Sequence, residues 1–142
     1  MKVKIYLLDK SLPLPEYQTK GAVAFDIYAR EETIINPREV KLVPTNLIIT
    51  TPPGYMLMLA ARSSTPLKKG LIMMNGVGVI DQDYCGPTDE IKIQLYNITN
   101  ESVTINRGER IAQGIFVKIE LADWQNFSPA GIANRGGFGS SD

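Results

Sequence analysis

Histidine is absent from the chain. Its absence removes imidazole general-base chemistry, histidine-held metals and every Ser-His-Asp triad. Cysteine is nearly absent, with Cys85 alone among 142 residues. A single thiol excludes an internal disulfide framework and a cysteine-cluster zinc site. Cys85 has a weak claim as a nucleophile, since no histidine can activate it. Net charge is absent as well. The 15 basic and 15 acidic side chains cancel, which argues against a nucleic-acid-coating protein or an acidic tail. No stretch approaches the ~18 apolar residues that span a membrane. The opening MKVKIYLLDKSLPLPEYQ has no long apolar run before its prolines, so no signal peptide is expected. These absences point to a small, soluble, cytoplasmic protein of a reducing compartment, with no nucleic-acid or membrane partner.

What is present fits one domain. The length is ordinary for a single core, and a hydrophobic share of 44% can fill it. The 9 prolines are scattered along the chain and would break helices wherever they fall. Between them lie short stretches of period-two alternation. Val3, Ile5 and Leu7 alternate with lysines and Tyr6. Tyr55, Leu57 and Leu59 alternate with Met56, Met58 and Ala60. Ile91, Ile93 and Leu95 alternate with Lys92, Gln94 and Tyr96, and Val103 and Ile105 follow the same rule. This is strand patterning. Residues 40–50 and 111–119 are richer in apolar side chains, as expected for strands buried on both faces. One helical turn is expected over Ser64 to Lys69, with Ser or Thr before Pro66 as its start and Gly70 as its stop. Many short strands with frequent turn residues imply an all-β sandwich or barrel.

The end of the chain differs. SPAGIANRGGFGSSD, from Ser128 onward, is rich in Gly, Ser and Ala. A frayed tail is the plain reading. An arm that orders over a ligand is the sharper one, because glycines let backbone approach phosphate and Arg135 and the hydroxyls can donate to it. Composition alone favours the tail.

Four clusters could carry chemistry. In Ala24-Phe25-Asp26-Ile27, an acid sits among apolar residues, and a turn aspartate is the simplest account of it. In Ala61-Arg62-Ser63-Ser64-Thr65, an arginine and consecutive hydroxyls precede the helical turn. That set reads equally as a phosphate cradle or as an ordinary helix cap. From Asn75 to Gly86, NGVGVIDQDYCG brackets an apolar stretch that ends in Asp81. It suits a hairpin whose backbone reads a flat ligand edge, and without histidine a carboxylate is the natural base. A plain β-hairpin with a turn aspartate is the alternative. In Arg107-Gly-Glu-Arg110-Ile-Ala-Gln113-Gly-Ile-Phe116, Gln113 lies inside an apolar strand and needs a partner if buried.

The order of these clusters resembles the five motifs of the trimeric dUTP diphosphatase (dUTPase) family. The matching segments are AVAFDIYA, ARSST, GVGVIDQDYCG, RGERIAQGIF and RGGFGSS, and they cover about residues 20 to 142. The resemblance implies an all-β, jelly-roll-like distorted barrel with one short helix. It implies a β domain over residues 1–127 and an arm over 128–142 that closes on an active site. It implies a homotrimer with sites between subunits, and Mg²⁺-dependent hydrolysis of dUTP to dUMP and diphosphate. Such an activity limits uracil entry into DNA and supplies dUMP for dTMP synthesis. Carried over motif by motif, Asp81 would activate the water that attacks the α-phosphorus. Tyr84 would lie against the deoxyribose. Asn75, Gly78, Val79 and Ile80 would face uracil, mostly through backbone. Arg62, Ser63, Ser64 and Gln113 would hold phosphate oxygens. Phe138 would stack on uracil, with Arg135, Ser140 and Ser141 on the terminal phosphates. Mg²⁺ would ride on triphosphate oxygens and waters, with Asp26 supporting it through water.

Two departures from the family pattern are visible. Pro87-Thr88-Asp89-Glu90 looks like a short insertion, and Arg135 stands only three residues before Phe138. Two rivals remain. A dCTP deaminase shares the fold and an Arg-Ser-Ser segment, but it needs a glutamate where counting back from Asn97 gives Gln94, and an amide cannot shuttle the proton. A non-catalytic nucleotide-binding trimer is the other, because fold alone never proves activity.

Overall fold

The computed structural model describes residues 1–137. Phe138, Ser140 and Ser141 therefore lie outside the described residues. The elements run β1 (Lys4–Leu7), β2 (Phe25–Tyr28), β3 (Thr33–Ile35), β4 (Val40–Pro44), β5 (Leu47–Thr50) and β6 (Tyr55–Ala61). After these come α1 (Ser64–Lys69), β7 (Leu71–Met73), β8 (Gly78–Ile80), β9 (Lys92–Asn97), β10 (Val103–Ile105) and β11 (Arg110–Lys118). The fold is all-β with one short helix, as the proline spacing and the alternation imply. Helix α1 occupies the expected residues, and Gly70 stops it in a left-handed conformation, φ 62°.

Among the described residues, the strands pair into four sheets rather than one closed barrel. β1 pairs with β5, and β10 with β3. The larger sheets have the orders β2-β11-β6-β8 and β4-β9-β7. All four sheets feed one core. Phe25, Ile27, Leu57, Leu59 and Ile111 meet Ile35, Val43, Ile49, Leu71, Ile93, Leu95 and Ile105 there. The four-stranded sheet explains the patterning best. Phe25, Gly114 and Leu59 lie in one cross-strand row and face the core. Asp26, Gln113 and Ala60 form the next row and face the other way.

Several strand expectations change. Residues 40–50 are two strands in different sheets, and only the second is largely buried. Val40 and Leu42 on β4 are 42% and 55% exposed, because β4 is an edge strand with one open face. β11 is likewise not buried on both faces: Gln113, Ile115 and Val117 on its outer face are only half-buried. The segment from Asn75 to Asp81 is not a hairpin between paired strands. β7 pairs with β9, while β8 pairs with β6, so the turn at Asn75-Gly76 crosses from one sheet to another. Gly76 makes that turn at φ 70°. Gly78 then lies so close to Leu59 that an added Cβ would meet its side chain at 3.0 Å.

The Pro87–Glu90 stretch has a structural role. Asp89 accepts the Gly86 N–H at 2.7 Å and closes a tight turn. Glu90 is 6% exposed. It accepts Arg30 Nε at 2.7 Å and Nη2 at 3.1 Å, and the Asn46 backbone N–H at 2.8 Å. The Glu90 hydrogen bonds raise the Arg30 pKa above its ordinary value. A buried carboxylate with this many donors is satisfied, as a buried charge must be.

Candidate active site

Residues from three of the four clusters converge at one end of the four-stranded sheet. A cleft of about 360 Å³ is lined by Asp26, Arg62, Ser63, Ser64, Arg110 and Gln113, with Gln18, Thr19, Ala22 and Ala24 forming its rim. Strand register brings the parts together. β2 and β11 set Asp26 opposite Gln113, and β6 sets Ala60 on the other side of Gln113. Arg62 follows directly where β6 ends. Gln113 meets its polar requirement by donating to the Ala61 carbonyl at 2.9 Å, which also fixes where its amide sits.

Asp26 is not a turn aspartate. It lies in β2, its side chain is 8% exposed, and it binds two arginines. Arg62 Nε reaches Oδ1 at 3.0 Å and Arg110 Nη1 reaches Oδ2 at 3.0 Å. The acid thereby holds two guanidinium groups at the cleft, with N–H groups to spare for an anion. Arg110 stands in the fourth cluster, but the sequence assigned it no role. Its only signal was its place three residues before Gln113, and the β-bulge between Arg110 and Ala112 decides where it points.

The helix start is not an ordinary side-chain cap. Ser63 occupies the cap position but makes no side-chain cap bond. Its backbone is already helical, φ −54° and ψ −32°, whereas a capping residue sits in the extended region to aim its oxygen at the following amides. Ser63 and Ser64 both line the cleft.

The third cluster lies elsewhere. β8 is the outer strand of its sheet, so one edge of Gly78, Val79 and Ile80 is open for hydrogen bonding. Ile80 pairs with Leu57, which carries Asp81 to the far end of β6 from Arg62. Some six residues of strand separate the two, or ~20 Å. Asp81 is exposed, and its carboxylate has no hydrogen bond or ion pair among the described residues. Tyr84 is 39% exposed and donates its hydroxyl to the Glu90 carbonyl at 3.3 Å. Asn75 is exposed in the turn before β8, and Arg135 is exposed in the segment after β11 and is not among the residues that line the cleft.

An all-β chain with one short helix and this strand order has known counterparts. The dUTPase family model matches residues 10–142. This chain belongs to the dUTPase family. It is 38% identical to the deoxyuridine 5′-triphosphate nucleotidohydrolase of Wolbachia pipientis, over 99% of this chain and 95% of that protein. Among solved structures it resembles the dUTPase of Streptococcus mutans, at 36% identity and a TM-score of 0.78, covering 84% of this chain and 98% of that one. It also resembles a point mutant of the phage 80alpha dUTPase, at 25% identity and a TM-score of 0.85, covering 99% and 98%. All four clusters fall within the matched residues. Family membership also agrees with the fold, since those relatives share it along most of the chain.

Among the described residues, no group of three or more acids or thiols is placed to hold a metal ion. Each Asp26 oxygen accepts one arginine and keeps a further lone pair. That donor set suits a metal carried by the substrate and hydrated on its protein side, as Mg²⁺ prefers. No helix among the described residues is long and apolar enough to cross a membrane.

Proposed function

We propose that this chain hydrolyses dUTP to dUMP and diphosphate at a site completed between copies of the chain. The observation that carries the reading is the separation of two complementary half-sites. One end of β6 holds cationic and hydroxyl donors suited to a triphosphate. The other end holds an exposed acid, an aromatic ring and an open strand edge suited to a nucleoside. Within one copy, a nucleotide with its base at one end and its phosphates at the other would have to stretch along ~20 Å of strand. Two copies, each offering one half, can enclose it. A closed homotrimer would build three such sites.

In this reading Arg62, Arg110, Ser63, Ser64 and Gln113 bind phosphate oxygens and neutralise the charge that develops on them. Phosphoryl transfer needs this positioning more than covalent chemistry. Asp81, exposed and uncompensated, takes a proton from the attacking water. The outer edge of β8 pairs with the uracil edge, and Tyr84 lies against the deoxyribose. Mg²⁺, held through triphosphate oxygens and waters, would supply further charge neutralisation and orient the phosphates. Asp26 would accept a hydrogen bond from one of those waters. Residues 128–142, with Arg135 and Phe138, would close over the nucleotide and exclude bulk water.

The test is diphosphate release from dUTP with Mg²⁺, beside dCTP, dTTP and UTP, with ammonia followed in the dCTP reaction. Release from dUTP in preference to the others is the expected result. Ammonia from dCTP would assign the chain to deamination. Nucleotide binding without release from any of the four would make it a non-catalytic module. Asp81→Asn should keep dUTP binding and lose most turnover, and wild-type turnover in that variant would remove Asp81 as the base.

A further inference from the structure

Tyr84 has a partner that the motif pattern does not mention. Its hydroxyl donates to the carbonyl of Glu90 at 3.3 Å. That carbonyl is unusually well fixed. The Glu90 carboxylate is gripped by two Arg30 nitrogens, Nε and Nη2, and by the Asn46 N–H. The next residue, Ile91, donates its N–H to the Leu47 carbonyl at 2.9 Å and accepts from Thr45 Oγ1 at 2.6 Å. Asn46 is itself 2% exposed and held to Asp9 through both ends of its amide. The turn between Tyr84 and Glu90 is closed by Asp89. A half-exposed phenol is thus tied to a buried, multiply anchored point.

We propose that Glu90, clamped by Arg30 and Asn46, is a positioning residue that sets the preference for 2′-deoxy over 2′-hydroxy nucleotides by holding Tyr84 in place. The inference rests on the reading that Tyr84 lies against the deoxyribose. Rejection of one extra hydroxyl by contact works only if the wall cannot move away. A tyrosine near the surface has two free side-chain torsions, and a short rotation would admit the ribose. With its hydroxyl bound to Glu90, yielding costs that hydrogen bond, worth roughly three- to tenfold in the preference. The Pro87–Glu90 stretch is then what delivers the anchor. Its turn returns the chain so that the Glu90 carbonyl meets the tyrosine tip while its carboxylate stays in the interior.

The experiment measures kcat/KM for dUTP and UTP in the wild type, Tyr84→Phe, Glu90→Gln, Arg30→Lys and the double variant Tyr84→Phe/Glu90→Gln. Tyr84→Phe keeps the ring and removes the tether. It should raise the UTP-to-dUTP ratio by roughly three- to tenfold. Glu90→Gln and Arg30→Lys should raise it in the same direction, and the double variant should exceed neither single by more than about twofold. A purely structural role would lower both nucleotides alike and leave the ratio unchanged, which overturns the proposal. Additive effects in the double variant overturn it as well. If Glu90→Gln does not fold, Arg30→Lys in protein labelled with 3-fluorotyrosine decides the matter. The Tyr84 fluorine signal, assigned by its loss in Tyr84→Phe, should shift or broaden in Arg30→Lys, and an unchanged signal refutes the tether. Tyr84→Ala separates this idea from the reading beneath it. If Tyr84→Ala still rejects UTP as the wild type does, the sugar is not at Tyr84 and both fall. If it admits UTP while the Glu90 and Arg30 variants do not, only the positioning role falls.

Discussion

Gly114 gives the most direct test of how packing positions the cleft. A Cβ built on it would meet the ring of Phe25 at 2.4, 2.6 and 3.1 Å. Carbon atoms in contact stay ~3.5–4.0 Å apart, so Gly114→Ala forces the ring back by about 1 Å. The ring can retreat only toward the apolar cavity of about 300 Å³ that it lines with Tyr17 and Phe116. Phe25 is 4% exposed and packs against Tyr17 and Phe116, each with ring centroids 5.8 Å away. Overpacking of this kind costs about 1–3 kcal/mol. For a domain of this size that corresponds to a fall of roughly 2–12 °C in Tm, read by thermal unfolding. The next register pair is Gln113 with Asp26. Pushing β2 from β11 should therefore loosen the Arg110–Asp26 contact and lower kcat/KM for dUTP several-fold. Phe25→Leu in the same background supplies space, so the double variant should be more stable than Gly114→Ala alone. A Tm for Gly114→Ala within about 1 °C of wild type would refute the reasoning. So would a loss from Phe25→Leu that is equal in both backgrounds.

Other outcomes follow from the same geometry. Asp26→Asn keeps the shape but leaves Arg62 and Arg110 without their shared anion. It should lower stability by about 1–3 kcal/mol in chemical denaturation, less than for a wholly buried pair because both arginines reach solvent. An unchanged midpoint would mean the arginines need no anion. Truncation before Arg135 should leave a folded protein with native assembly and poor turnover. A monomeric or unfolded product would make the segment structural instead. Asp9 is held well below the usual carboxylate range, first by the Ser11 hydroxyl and then by Arg107. A depressed acid stabilises the fold above its unfolded value of ~4, and that contribution fades as pH falls below it. Asp9→Asn should therefore flatten the loss of Tm between about pH 4 and pH 2 relative to wild type. Parallel curves would show that the Asp9 contacts contribute nothing.

Much of the molecule was legible in the order of its residues. Period-two alternation located β6 and β9, because a half-buried strand must alternate. Pro66 and Gly70 bracketed α1, because one cannot continue a helix and the other readily ends it. The absence of histidine narrowed the base to a carboxylate, and the spacing of the motifs carried the family. What the sequence could not give is which side chains meet. Asp26 reads as a turn acid until β2 and β11 set it between two arginines, and Arg110 has no visible role until a bulge turns it toward Asp26. Ser63 reads as a cap until its backbone proves helical. Glu90 reads as part of an insertion until the fold brings Arg30, sixty residues away, against it. Local propensity sets periods and breaks, since those depend on neighbours along the chain. Register, bulges and long-range ion pairs depend on how the strands pack, and only the tertiary structure could decide that Arg62 and Asp81 stand at opposite ends of one strand.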